Sequence, residues 1–398
     1  MNDRELKIKG ARVPDGLVWS LLFFGAFVHV PLSLPGVNTQ IAAFDFILPA
    51  VFGWAFYTGR VTPPSRRILV TVICILATFI GHSVSIYAFK EEFQQAWLLK
   101  ETLKAIILMG EFFLLLMLFQ SRVVRFPKLN VTAGVFVVAV LAVGLLSFRM
   151  LENEPFFFAR TVYCVALASL LFLLAANSGW IQSGRRCLLI ILAGVIVILV
   201  SLLSFSKGIA GLVFAMIVWI ALIYLARRTS AARITMIICG LVLAVFSLAA
   251  WVVISGASMD LLQRMDSMER SITVRGSLWF LGLKAFWLHF PWGLGFGQYW
   301  EVVVTDVELA REGHRFVHNS FIAFMAELGM LGFIFSAGLL VLIIKAGRGW
   351  PPMIRPLFFM LVLTPLLIHD AHSIRMLLIV TALGLAQLGR RSFETENY

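Results

Sequence analysis

Residues 315–344 read RFVHNSFIAFMAELGMLGFIFSAGLLVLII. A polar stretch ends at His318-Asn319, and the 25 residues 320–344 carry one charge, Glu327. A bilayer core needs about 20 apolar residues in a helix, so this run is long enough to cross one. It has no strand alternation, which excludes an outer-membrane barrel strand and predicts a helix.

The pattern recurs along all 398 residues. The chain is 60% hydrophobic and 14% charged, with mean hydropathy +0.93. Soluble domains hold about 45–50% apolar and about 25% charged residues. No water-soluble core absorbs this excess, so the expected fold is an all-α polytopic membrane protein, one integral membrane domain over 1–398. Twelve spans are predicted: 15–34, 40–58, 68–88, 97–119, 130–148, 161–177, 187–204, 208–226, 234–254, 320–344, 355–369 and 373–389. The first run lacks a small-residue cleavage site after it and is expected to be a retained helix. Cys74, Cys164, Cys187 and Cys239 lie in apolar runs without metal-ligand spacing, so they read as packing residues.

The net charge of +12 does not point to nucleic acid, because its distribution is topological. With both termini in the cytoplasm, every inner segment holds at least two basic residues, as the positive-inside rule requires. Basic residues left on the outer side or within spans include Lys90, Lys104, Arg160, Lys207, Arg275 and Arg375. The rule disfavours those places, and an anionic ligand at the outer surface is one reason for them.

Residues 255–319 form the one long polar connection, expected on the outer side. Within it Ser271 to Phe290 reads as an amphipathic helix on or dipping into the membrane, ending before Pro291. Pro291-Trp292-Gly293-Leu294-Gly295-Phe296-Gly297 follows. Its alternate glycines permit tight turns and close backbone approach. It is not a dinucleotide fingerprint, since no strand precedes it.

Here the residues resemble a family. Arg275-x3-Trp279, His289-Phe290-Pro291-Trp292-Gly293-Leu294-Gly295 and His318-Asn319-x7-Glu327-Leu328-Gly329-x2-Gly332 look like the signature of the O-antigen ligase and polymerase superfamily. Ser204-Phe205-Ser206-Lys207-Gly208 occupies the place of that family's Ser-Arg-Gly turn. The resemblance implies a fold like that of C-type membrane glycosyltransferases. It implies an enzyme of the bacterial inner membrane whose active site faces the periplasm. That enzyme moves a glycan from an undecaprenyl diphosphate carrier to an acceptor hydroxyl, without metal or cofactor. Ligation onto a lipid A-core sugar and polymerisation of repeat units both remain open. The resemblance matches His318 to the family's essential histidine, and Lys207 and Arg275 to its diphosphate-holding cations. Lys207 stands where arginine is usual; lysine keeps the charge and loses the planar two-point grip.

The chemistry fits those residue types. A departing diphosphate gains charge that fixed cations stabilise, and Lys207, Arg275, Arg375 and Arg160 are the candidates. An attacking hydroxyl needs a base, which His318 supplies, with Asn319 to orient it or a sugar hydroxyl. Plainer readings stay open beside these. Lys207 could be a snorkelling helix-end lysine, and Arg160 and Arg375 interface anchors. Arg275 could pair with Asp266 or Glu269. His318-Asn319 could cap the following helix. Glu111 and Asp45 fall inside spans and need partners; Lys104, two turns from Glu111, is one candidate, structural or at the edge of the site. Glu327 reads as packing or hydrogen bonding within the bundle. His369-Asp370-Ala371-His372 is weak as a zinc site and better as hydrogen bonding beside Arg375. A transporter is the third functional class, disfavoured because no internal repeat is visible.

Overall fold

The computed structural model describes residues 15–27, 29–34, 37–59, 61, 66–87, 90, 92–121, 132, 134–141, 157–177, 184–203, 207–226, 258–306, 317–368 and 375–395. Its helices are α1 (Asp15–Phe27), α2 (Phe44–Tyr57), α3 (Arg66–Tyr87), α4 (Glu92–Gln120), α5 (Phe157–Asn177), α6 (Gly184–Leu203), α7 (Lys207–Ala226), α8 (Ser258–Leu288), α9 (Trp300–Val303), α10 (Ser320–Gly349), α11 (Arg355–Ile368) and α12 (Arg375–Thr395), with a further helical stretch at 134–141. Among the described residues four helices are long and apolar enough to cross a membrane: Leu69–Tyr87, Leu98–Gln120, Gly184–Ser201 and Ser320–Gly349. Five shorter apolar helices accompany them. The predicted span 234–254, Cys239 and the 369–372 cluster lie outside the described residues.

One departure from an all-helical reading is a hairpin. Strands β1 (His29–Leu34) and β2 (Val37–Ala42) pair antiparallel, His29 opposite Ala42 and Leu34 opposite Val37. The predicted spans 15–34 and 40–58 are therefore both shortened. Pro31, Pro35 and Gly36 explain it: proline breaks a helix, and Pro-Gly marks a turn. The 13 residues of α1 rise only about 20 Å, less than a bilayer core of about 30 Å.

The centre of the bundle is α5, buried at every residue from Cys164 to Ala175. It packs against α1, α6, α7, α11 and α12. At the periphery, Leu188, Leu192, Val195 and Leu199 form an exposed row on α6. Such a row would be a liability in water and is what lipid requires. On α3, Cys74 is exposed, not packed as expected, because most of that helix faces outward.

A fold-back in α10 sets the rest. At Gly329 the backbone has φ 58° and ψ −129°, which no helix accommodates. Fifteen residues of straight helix would separate Phe321 from Ser336 by about 22 Å. Instead the Ser336 hydroxyl donates to the Phe321 carbonyl at 3.3 Å. The run that reads as one straight span is thus a short arm, 320–328, doubled back against a long one, 330–349. The 20 residues of the long arm rise about 30 Å, a bilayer core by themselves.

Candidate functional site around His318

The Gly329 break leaves helix backbone groups without their usual partners, and the glycine-rich turn supplies them. Leu294 N donates to Ala326 O at 3.0 Å, Gly295 N to Glu327 O at 2.8 Å, and Met330 N to Pro291 O at 2.8 Å. The Trp292 carbonyl accepts from Nε2 of His82 on α3 at 2.7 Å. Glu327 is hydrogen-bonded as expected, but to the segment after α8: its Oε1 accepts from Tyr299 N at 3.3 Å. Phe296 wedges against Phe79 of α3, ring centroids 5.4 Å apart and edge-on. Backbone polar groups buried in a membrane protein must be satisfied internally, and these bonds do so for the groups they join.

The doubling-back carries His318 with it. A straight span would put this residue at the helix mouth. The structure sets the start of the short arm beside Ser336, seven residues, or about 10 Å, past the break. His318 itself adopts a left-handed φ of 55°, the one positive φ outside glycine among the described residues. A bulky side chain there is strained by about 1 kcal/mol. Asn319 is the cap of the short arm: its Oδ1 accepts from Phe321 N at 3.0 Å and Ile322 N at 3.2 Å. The plain reading therefore holds for the Asn319 carbonyl, which is occupied by the helix end.

Arg275 reaches this region through α8. That helix begins 13 residues before the expected Ser271 and ends at Leu288, before Pro291 as expected. Its packed face meets the short arm: Gly282 lies against Ile322 and Val317, and the Tyr299 hydroxyl donates to the Leu278 carbonyl at 2.6 Å. Arg275 stands seven residues, about 10 Å, back along α8 from that contact with the residue before His318. Burial pushes its guanidinium down from the ordinary arginine value. Among the described residues no carboxylate pairs with it. Asp266 and Glu269 are nine and six residues away on one continuous helix, so neither is a helix-face neighbour.

Residues 192–337 match the O-antigen ligase family. No curated protein matches the chain. The O-antigen ligase stretch holds Lys207, Arg275, His318 and Asn319, and it ends one residue after Ser336. The resemblance carried by the motifs is borne out over this stretch. The match supports a membrane protein of glycan ligation or polymerisation, and with it an enzyme acting on lipid-linked glycans.

Lys207 opens α7, four residues after α6 ends at Leu203, so the family-like segment lies between two helices. Arg160 lies in the first turn of α5. Arg375 opens α12 outside the O-antigen ligase stretch. Gly384 packs on Ala346 and Gly349 of the long arm. The charge of Arg375 is engaged: Nη2 donates to Asp45 Oδ1 at 2.9 Å, and Nε lies 3.5 Å from Glu111 Oε2. These are the two membrane carboxylates that needed partners. Lys104 is not one of them; it pairs with Glu101 at 3.6 Å, its neighbour three residues back, because seven residues of helix is about 10 Å. Lys90, another of the basic residues that the span reading leaves over, is held by Glu301 at 2.7 Å.

Proposed function

We propose that the protein is an O-antigen ligase-type glycosyltransferase of the bacterial inner membrane. The donor is a glycan on undecaprenyl diphosphate, the acceptor a hydroxyl of a lipid A-core sugar, and the site opens to the periplasm. What supports this reading most is one arrangement inside the family-matched stretch. His318, with its left-handed backbone, opens the short arm whose Phe321 carbonyl meets Ser336, and the half-buried Arg275 lies two turns along α8 from Gly282, which packs on Val317.

In the reaction the acceptor oxygen attacks the anomeric carbon, and His318 takes the hydroxyl proton. The bond from that carbon to the carrier oxygen breaks, and the diphosphate leaves with the electron pair. Arg275 and Lys207 stabilise the charge that develops on it, with Arg160 at the rim. Asn319 fixes the start of the short arm and so the position of His318. Arg375 braces the bundle through Asp45 and Glu111. The strain stored at His318 is the kind found where a side chain must point against its backbone preference.

The test is transfer by the purified chain. It is given carrier-linked glycan with either a lipid-core acceptor or further donor. Glycan on the core supports ligation. A ladder on the carrier moves the assignment to a polymerase with the same site. No transfer, together with flux of the lipid across vesicles, would replace the enzyme with a transporter.

A further inference from the structure

α3 faces outward along most of its length, yet it carries a histidine inside its candidate span Leu69–Tyr87. His82 stands five residues before the end of that span, about 7.5 Å along the helix. A polar ring in such a place calls for a function or a partner. Its two nitrogens are used unequally. Nε2 lies 2.7 Å from the Trp292 carbonyl, 210 residues away in the chain. A carbonyl only accepts, so Nε2 carries the proton and donates it. Nδ1 is buried and has no hydrogen-bond partner. The polar contact this ring makes is therefore with the glycine-rich turn.

That contact acts on a single peptide group. The carbonyl of the Trp292–Gly293 unit accepts from His82, and its N–H donates to the His289 carbonyl at 2.8 Å. Held on both edges, the peptide plane cannot rotate without breaking a bond. Gly293 lies against Gly329 N and the Glu327 carbonyl, and the next two amides, Leu294 and Gly295, donate into the short arm. Lipid supplies no donor at this depth, so a Trp292 carbonyl deprived of His82 would have to turn to find one. Phe79, one turn before His82, packs on Phe296 of the same segment. α3 thus steadies the turn at an apolar point and at a polar one.

We infer that His82 is a positioning residue for His318: by donating from Nε2 to the Trp292 carbonyl, it sets the peptide plane against which the short arm closes. The inference rests on the proposed function for the base that is positioned, and adds a residue outside the family-matched stretch 192–337. His82 acts through backbone alone. The path runs from Trp292–Gly293 to Ala326, Glu327 and Gly329, and back along the short arm to Asn319 and His318.

The test separates the donor from the ring. A glutamine amide nitrogen reaches as far as Nε2, and an asparagine amide nitrogen only as far as Nδ1. His82→Gln is expected to keep transfer within about threefold of wild type. His82→Asn and His82→Phe should lower kcat by about ten- to a hundredfold, the cost of a small misplacement made away from the chemistry, and leave KM unchanged. Amide hydrogen exchange on the same full chains in detergent needs no substrate. Segments 291–297 and 326–330 should exchange faster in the Asn and Phe variants and at the wild-type rate in the Gln variant. Ser85→Ala is the control: that hydroxyl donates to the His82 carbonyl within α3, so its loss should change neither exchange nor transfer. Three results would each overturn the inference: a Gln variant no better than Asn, wild-type exchange in the Asn and Phe variants, or a rise in KM in place of the fall in kcat. A wild-type chain that transfers nothing ends the proposed function instead, and the exchange contrast still judges the hold of His82 on the turn.

Discussion

Gly293 of the glycine-rich turn and Gly329 of α10 meet backbone to backbone. A Cβ on Gly329 would fall on the Pro291 carbonyl and on Gly293 N, and one on Gly293 would fall on Gly329 N and the Glu327 carbonyl. Both residues also have positive φ, 78° and 58°. Everything that places His318 follows from this contact, because it holds the short arm against the long one. Gly329→Ala adds a left-handed alanine of about 1–2 kcal/mol to an overpacked contact of about 1–3 kcal/mol. The expected result is a large fall in the thermal midpoint in detergent and in yield. Gly338→Ala is the control, since nothing lies within 4 Å of a Cβ there. It should unfold at or above the wild-type midpoint.

Backbone strain and chemistry can be separated at His318. Glycine tolerates a φ of 55° freely, whereas alanine does not. His318→Gly is therefore expected to be more stable than His318→Ala, by about 1 kcal/mol. Both should lose transfer by about a hundred- to ten-thousand-fold, the usual value of a general base. Thermal unfolding and initial rates on the same preparations check this. A glycine variant that transfers at wild-type rate would show the histidine to be a turn residue and nothing more.

Asn319 gives the complementary case. Its Oδ1 holds two backbone donors of the short arm, and losing such a cap costs about 1 kcal/mol. Asn319→Ser keeps an oxygen that can cap, and Asn319→Ala does not. Serine is expected to retain transfer within about threefold of wild type, while alanine loses stability and part of the rate. Equal loss in both variants would mean that the amide nitrogen touches substrate.

These contrasts also measure how far the sequence could be read. Hydropathy placed the helices because lipid demands long apolar runs, and the runs at 66–87, 92–120, 184–203 and 207–226 are helices in the structure. It could not reveal the doubling-back of α10, since both arms are apolar and hydropathy does not register direction. The glycines of Gly329-x2-Gly332 were the only local sign of it, and in an apolar run they resemble helix-packing glycines. The early prolines were visible, but the apolar residues around them outweighed their turn chemistry in a span reading. At the candidate site the residue types were legible and their partners were not. Arg375, Asp45 and Glu111 come from three helices separated by most of the chain, so no spacing rule connects them. Arg275 was legible as an outer cation that topology did not require. That no carboxylate among the described residues pairs with it emerged only from the structure.

The cluster of Arg375 with Asp45 and Glu111 yields the last expectation. One arginine faces two carboxylates at a site where the Glu111 side chain is only 3% exposed. Removing one partner of a buried pair strands the other and costs about 3–5 kcal/mol. Arg375→Ala strands two, so it should destabilise strongly. Glu111→Gln leaves a neutral pair, Arg375 with Asp45, and is expected to stay within about 1 kcal/mol of wild type. If the arginine is a strut, the triple variant Arg375→Ala, Asp45→Asn, Glu111→Gln removes every charge at once. It should then recover most of the lost stability and, with it, transfer. Unfolding midpoints across this set, measured beside transfer rates, separate the roles. Recovered folding without recovered transfer would instead return Arg375 to the residues that grip the carrier diphosphate, with Asp45 and Glu111 holding it in reserve for that anion.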